Sequence, residues 1–201
     1  MSTRQIALAA VLLALVFIAH ASGRILQVVG AQLAPSIGVY VFMALILAPS
    51  LGWGPLVAIG LGVGILTMLA TSSPFPPANI PGHGLAFLLA AYLTKMYTGN
   101  RNRELTTSQM VTIVTICLLV SWTLFSSISW LGLTGSGHAL LSRNFNAFNA
   151  LSLGQGLVAW WIFGFLTIAI PTLIIALILT PLLYRAVRPA LVRQGMIEAA
   201  A

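Results

Sequence analysis

The chain has 201 residues, of which 59% are hydrophobic and 5% are charged, and its formal net charge is +7. About a quarter of the residues of a soluble domain are charged, so this composition excludes an ordinary soluble protein. In a soluble chain the excess of basic residues would suggest nucleic acid. Here they border long apolar runs, where they fix orientation and meet anionic membrane lipid, so we expect no nucleic-acid binding.

Six apolar runs follow one another and predict six transmembrane helices, because lipid cannot hydrogen-bond an exposed backbone. Residues 1–201 are therefore interpreted as a single integral membrane domain, an all-α six-transmembrane-helix bundle. The second run is short, about 13 residues between Pro35 and Pro49. It predicts either a strongly embedded helix or one whose ends thin the bilayer locally. The approximate bounds of the runs are 5–21, 36–48, 55–70, 83–97, 110–131 and 157–184.

The first run also has the outline of a signal peptide. Arg4 precedes the apolar core, and Ala19-His20-Ala21 has the small-x-small pattern of a cleavage site. We expect the run to be retained as a helix, because it is long enough to span and its alanines suit packing against protein. In the third run, Gly60 and Gly64 form a small-xxx-small face that predicts the close approach of another helix.

Prolines interrupt the chain in two places. Four of them fall in the thirteen residues from Thr71 to His83, and this segment cannot be regular helix, because each proline removes a donor and fixes φ. Irregular backbone near membrane depth is tolerated only inside protein or along a wet cavity. In the last run, Pro171 frees the carbonyl of Thr167 and predicts a kink.

Basic residues divide unevenly between the two sides of the predicted bundle. If the chain starts in the cytoplasm, the outer side holds two, Arg24 and Arg143. This asymmetry predicts a multi-pass protein of the cell (inner) membrane with both termini cytoplasmic. The inner side holds seven: Arg4, Lys95, Arg101, Arg103, Arg185, Arg188 and Arg193.

Both acidic residues, Glu104 and Glu198, lie on the cytoplasmic side in this topology. Proton relays and metal clusters built on intramembrane carboxylates are thereby excluded. The chain also lacks the glycine-rich phosphate loop of ATPases. We expect no enzyme activity, no catalytic residue and no cofactor, since Ser72 or Ser73 paired with His83 would have no third group to orient the histidine.

Three histidines, His20, His83 and His138, fall towards the predicted outer face. Three imidazoles on one side could hold a transition metal, but their spacing matches no ligand motif. We therefore predict no metal site and keep a metal-binding membrane protein as an alternative.

Polar and aromatic residues concentrate on the same outer side. Singly, each fits an aromatic belt or a solvated loop, but together they predict an outward-facing pocket for a small-molecule substrate. Asn79 and His83 would form its floor, Trp130 or Trp160 a wall, and Arg24 or Arg143 would pair with a substrate carboxylate. The predicted substrate-binding residues are Arg24, Asn79, His83, Trp130, Arg143, Asn146 and Trp160.

The chain resembles the substrate-binding (S) component of energy-coupling-factor (ECF) transporters. The resemblance rests on six predicted helices, both ends inside, a first helix rich in small residues and the lack of an ATPase motif. The resemblance implies a complex with a coupling transmembrane subunit and two ATPase subunits, in which the S component tilts in the lipid to deliver its ligand. In that family, alanines four apart on helix 1 contact the coupling subunit. Ala10 and Ala14 match this spacing, with Ala7, Gly60 and Gly64 as further close-packing positions.

The segment Phe75-Pro-Pro-Ala-Asn79-Ile80-Pro81-Gly82 is similar to the Phe-Pro-x-x-Gln-Ile-Pro-Asn segment of the tryptophan-type branch of that family. Gly82 replaces its Asn, and Leu85 and Ala86 stand where that branch has an Asp-Lys pair, which argues against tryptophan itself. The resemblance implies an ABC-type importer subunit for a vitamin or amino acid. Its substrate would lie between the outer ends of helices 1, 4, 5 and 6, beneath the loop after helix 1. A non-transporting structural or assembly subunit is the alternative, and it needs no outer pocket.

Overall fold

The computed structural model describes residues 1–28, 31–99, 103–135 and 153–197. These residues form an all-helical bundle, which confirms the predicted fold class at the level of secondary structure. Short 3-10 turns lie at Pro76–Ala78 and Leu153–Gln155, and the strands β1 (Gln27–Val28) and β2 (Ala31–Gln32) pair antiparallel between the first two helices. The six helices are α1 (Thr3–Ser22), α2 (Ser36–Leu47), α3 (Trp53–Ala70), α4 (Asn79–Thr98), α5 (Thr107–Gly135) and α6 (Leu157–Arg193).

Four helices in the described ranges, α1, α3, α5 and α6, are long and apolar enough to cross a membrane. These four support a membrane protein. The remaining two helices, α2 and α4, differ from a simple transmembrane helix. Helix α2 has 12 residues and, at roughly 1.5 Å per residue, is too short to cross a hydrocarbon layer of about 30 Å by itself. Helix α4 has 20 residues but interrupts its apolar run with Asn79, His83 and Lys95.

The core of the bundle surrounds α2. All 12 residues of this helix are buried, and it packs against α1, α4, α5 and α6. A helix that is apolar on every side belongs in such a position. The short second run is therefore a helix enclosed by the rest of the described bundle.

Helices α3 and α4 approach each other through glycine, as the sequence predicts. A Cβ on Gly64 would lie 2.6 Å from the carbonyl oxygen of Ile80, and one on Gly84 would lie 2.9 Å from that of Gly60. The small-residue face of α3 is thus occupied by α4 of the same chain. Gly60 and Gly64 are therefore the close-packing positions that the sequence predicted, and the helix that approaches them is α4.

Prolines accompany two differences between the observed helices and the sequence prediction. Helix α4 begins at Asn79 rather than at residue 83, since Pro81 lies in the first turn, where a backbone donor has no partner in the helix. Helix α6 contains a π-helical segment, Phe165–Ala169, directly before the turn that holds Pro171. The irregularity predicted at Pro171 is therefore a π segment, and the helix continues past residue 184 to Arg193.

The helices alternate in direction, so the two ends of the bundle carry different residues. Arg4 donates to the carbonyl of Gln194 over 3.3 Å, and this bond joins the start of α1 to the end of α6. At the same end, Arg188 pairs with Glu104 at 2.6 Å. We call this end the cation-rich end. Its described basic residues are Arg4, Lys95, Arg103, Arg185, Arg188 and Arg193.

Candidate functional site

A cavity of about 80 Å³ lies at the end of the bundle opposite the cation-rich end, and we call it the end cavity. One water needs roughly 10–15 Å³ on this scale, so the space holds several waters or a small solute. Every helix except α3 contributes to its wall, together with the α1–α2 connection and residues 71–74. The lining residues are His20, Gln32, Ala34, Ile37, Thr71, Ser72, Ser73, Pro74, Asn79, His83, Leu118, Ser121, Trp122, Phe125, Trp160, Ile168, Ala169 and Thr172.

Three of the predicted substrate-binding residues come together in this cavity. Asn79 and His83 reach it from the first turns of α4, and Trp160 reaches it from the first turn of α6. Asn79 donates through Nδ2 to the carbonyl of Pro76 at 2.8 Å. Its side chain thereby satisfies a carbonyl of the proline-rich segment, which has few helical partners of its own.

Arg24 does not line the cavity. Its Nε donates to the carbonyl of Ala70 at 3.1 Å and its guanidinium NH2 donates to that of Thr71 at 3.3 Å. Helix α1 ends at Ser22, so Arg24 lies beyond the helix and reaches the last carbonyls of α3, which have no intrahelical donor. In the structure Arg24 ties the α1–α2 connection to α3, and its predicted role as the partner of a substrate anion stays a prediction.

Trp130 also lies outside the cavity wall. It packs in a separate cluster with Leu133, Trp160 and Phe75. Of the two tryptophans offered by the sequence, Trp160 is the one at the wall, and its Nε1 donates to the carbonyl of Ser126 at 3.1 Å. The predicted site residues Arg143 and Asn146 lie outside the described residues, as does His138.

A pair of buried histidines stands at the centre of the site. The rings of His20 and His83 are 5.2 Å apart and nearly perpendicular. Nδ1 of His83 lies 3.2 Å from the hydroxyl of Ser121, and Nδ1 of His20 lies 2.8 Å from that of Ser36. The sequence predicted His83 but not His20 among the substrate-binding residues, and nothing in the spacing of the two histidines indicates that their rings are in contact.

Gln32 closes one side of the cavity, and no sequence pattern pointed to it. Its Nε2 donates to the carbonyl of His20 at 2.5 Å. Its Oε1 accepts from the backbone N–H of Ser72 at 2.6 Å and from the Ser72 hydroxyl at 2.7 Å. One amide side chain therefore joins α1 to the irregular segment before α4.

The α1–α2 connection is fixed to α6 as well. The backbone N–H of Ala34 donates to the hydroxyl of Thr172 at 3.2 Å. Thr172 and Ala169 both line the cavity. Ala169 is the last residue of the π segment of α6, and Thr172 lies in the α-helical part of α6 that follows it. Such π segments occur often at functional sites, and here the segment brings α6 against the connection.

A metal centre and a serine–histidine pair were the other chemistries considered for this side of the bundle. No group of three or more His, Cys, Asp and Glu side chains that could hold a metal forms within residues 1–28, 31–99, 103–135 and 153–197. For the serine–histidine arrangement considered above, the Ser72 hydroxyl donates to Gln32 and the His83 ring is paired with Ser121.

The fold and the cavity together describe a helical membrane protein with a solute-sized space at one end. No family model matches the chain, and no curated protein or solved structure gives a significant match. The interpretation of the site therefore rests on the geometry and chemistry of this chain.

Proposed function

We propose that the chain is the membrane-embedded substrate-binding subunit of an ECF-type importer for a small micronutrient, such as a vitamin or an amino acid. The observation that carries the proposal is the end cavity. It lies within the helix bundle, it combines aromatic walls with amide, hydroxyl and imidazole groups, and it gathers Asn79, His83 and Trp160 from distant parts of the sequence. Ligand pockets in proteins have this combination of apolar walls and a few polar groups.

In the proposed topology all six helices are embedded in the cell membrane, and the short helix α2, whose 12 residues are all buried, lies inside the bundle. The distribution of charge supports this orientation. Six basic residues of the described ranges lie at the cation-rich end and one, Arg24, lies near the opposite end. By the positive-inside rule the cation-rich end and both termini are cytoplasmic. The end cavity then faces the outside, where a nutrient is captured.

A second surface supports the proposed partner. Ala10 and Ala14 are exposed on α1, while Leu12 and Val16 on the opposite face of the same helix are buried. Small residues on an exposed helix face allow the backbone of another membrane helix to approach closely. This face would receive the coupling transmembrane subunit, which would connect the chain to the two ATPase subunits. Membrane lipid would cover the other apolar surfaces.

The proposal is tested with the full chain purified in mild detergent. Mass spectrometry of the small molecules that co-purify should identify one solute enriched over a membrane-protein control. Cells that express the chain should accumulate this solute only when the coupling subunit and both ATPases are also present. If no solute is enriched, or if its accumulation does not depend on the chain, the chain is not a substrate-binding subunit.

A further inference from the structure

Two ionisable side chains, His20 and His83, belong to the described wall of the end cavity. Eighteen residues line this wall, and none of them is Asp, Glu, Lys or Arg. An ionised solute that enters such a space loses its hydration and needs a group of opposite charge. An imidazole becomes that group by taking up a proton. Charge recognition by the described wall therefore depends on which histidine nitrogen a solute can reach.

Of the four ring nitrogens, Nε2 of His83 is the one that a solute can reach. Nδ1 of His83 lies 3.2 Å from the hydroxyl of Ser121 and 3.5 Å from that of Tyr40. Nδ1 of His20 is paired with Ser36, and Nε2 of His20 is wholly buried. Nε2 of His83 has no hydrogen bond in the described part of the chain and is not among the wholly buried atoms. The 5% of His83 that stays accessible at the cavity wall therefore includes this nitrogen.

The hydroxyls beside Nδ1 of His83 serve the ring in both protonation states. A hydroxyl donates to the bare nitrogen of a neutral imidazole and accepts from the N–H of an imidazolium. A second positive charge on His20 would lie on a ring 5.2 Å away, and its Nε2–H would have no acceptor in the described part of the chain. The pair therefore takes up one proton, and His83 is its place.

The other titratable groups around His83 supply no negative charge at pH 7. Tyr40 of α2 and Cys117 of α5 carry a phenol and a thiol, which are largely uncharged at this pH. Helix α3 has no titratable side chain between Trp53 and Ala70, and those of α6 begin at Tyr184, towards the cation-rich end. A negative charge to pair with the imidazolium must therefore come from the solute.

The surroundings of the cavity favour an anion over a cation. Helices α2 and α4 begin there, with Ile37 and Asn79 in the wall, and the N-terminus of a helix carries partial positive charge. Helices α1 and α3 end there, but their last carbonyls accept hydrogen bonds from Gln32 and Arg24. Glu104, the acidic residue of the described ranges, lies at the cation-rich end.

We propose that the end cavity binds a solute with one carboxylate, and that His83 takes up a proton on binding and donates from Nε2 to this carboxylate. The proposal rests on the proposed function and narrows its substrate class. Each solute then enters the site together with one proton, as an ion pair without net charge.

The test uses the full chain in detergent and isothermal titration calorimetry. Benzoate, indole-3-acetate and hexanoate are the carboxylates, benzamide, indole-3-acetamide and hexanamide are their uncharged counterparts, and benzylamine is a cation. The carboxylates are ionised from pH 7 to pH 8, so a proton taken up on binding goes to the protein.

We expect at least one carboxylate to bind about ten times more tightly than its amide at pH 7. Its affinity should fall about tenfold from pH 7 to pH 8, because the free site is then neutral and the occupied site protonated. Comparison of the binding heats in phosphate and Tris buffers should give an uptake of about one proton per solute.

Two variants assign the proton to His83. His83→Gln keeps a neutral donor and cannot take up a proton, so it should weaken carboxylate binding about tenfold at pH 7 and abolish the pH dependence. His20→Asn is the matched control. Its amide can replace Nδ1 as the partner of Ser36, and the tenfold change between pH 7 and pH 8 should persist, whatever the variant does to the affinity itself. If His83→Gln does not fold, the proton uptake of the parent chain still decides the outcome.

Several results would overturn the inference. They are an amide or benzylamine bound as tightly as the carboxylates, binding without proton uptake, a pH dependence that persists in His83→Gln, and no binding of any of the seven compounds. Carboxylate binding without proton uptake that disappears in Arg143→Ala would restore the arginine partner predicted from the sequence. If mass spectrometry still identifies a co-purified solute in these cases, the substrate class is wrong and the proposed function stands. If no solute co-purifies either, both fail.

Discussion

Substitution of Gly64 by alanine tests the packing of the bundle most sharply. A Cβ at this position would lie 2.6 Å from the oxygen and 2.9 Å from the Cα of Ile80. Both are backbone atoms of α4, so relief requires a shift of one helix against the other. Overpacking of this kind costs about 1–3 kcal/mol, which exceeds the roughly 0.5–1 kcal/mol that alanine gains over glycine in a helix.

Gly62→Ala is the matched control on the same helix. A Cβ there would lie 3.5 Å from side-chain atoms of Leu13, an ordinary van der Waals contact. This variant should therefore be neutral, or more stable by up to about 1 kcal/mol. Unfolding of the purified variants in mixed micelles of detergent and sodium dodecyl sulfate gives both free energies. Equal stability of Gly64→Ala and Gly62→Ala would refute the close packing of α3 on α4.

Three further predictions concern the partner, the cavity and the orientation. The double variant Ala10→Trp, Ala14→Trp should abolish co-purification of the coupling subunit and leave ligand binding unchanged. Leu69→Trp, at an exposed position of α3, should affect neither. If the double variant still assembles with the coupling subunit, Ala10 and Ala14 are not in the interface. Gln32→Ala removes three hydrogen bonds beside the cavity and should speed ligand release about tenfold in stopped-flow experiments; an unchanged release rate would show that Gln32 does not close the site. In a Cys117→Ala background, an impermeant thiol reagent added outside should label a cysteine placed at Ser136 and not one at Ser108, and the reverse pattern would invert the topology.

Apolar runs were enough to predict the helices. Lipid offers no hydrogen-bond partner to the backbone, so long apolar stretches form helices, whose hydrogen bonds lie within the segment itself. The same reasoning placed Gly60 and Gly64 at a close helix contact and predicted a kink at Pro171, where a π segment is found. It predicted irregular backbone over residues 71–83, which is correct up to residue 78 and wrong from Asn79, where α4 begins. These features are local, and local features leave a signal in the sequence.

The details of the site were not predictable in this way. No pattern in the sequence indicates that Gln32 bridges His20 and Ser72, because the three residues belong to different segments of the chain. Arg24 was predicted as a ligand partner, yet it binds the end of α3, since orphan carbonyls at a helix terminus attract a nearby guanidinium. Which polar group faces a cavity depends on such long-range contacts.

The central claim is that the end cavity holds a small solute. Its most direct test is the amount of co-purified solute per chain, measured by mass spectrometry in the parent and in Ala34→Trp. Ala34 is half-buried at the cavity wall, and a tryptophan there would fill the space, whereas Leu85→Trp would add the same bulk at an exposed position of α4. The account predicts near-stoichiometric solute in the parent and in Leu85→Trp, and loss of the solute in Ala34→Trp. Equal amounts of solute in all three proteins would contradict it.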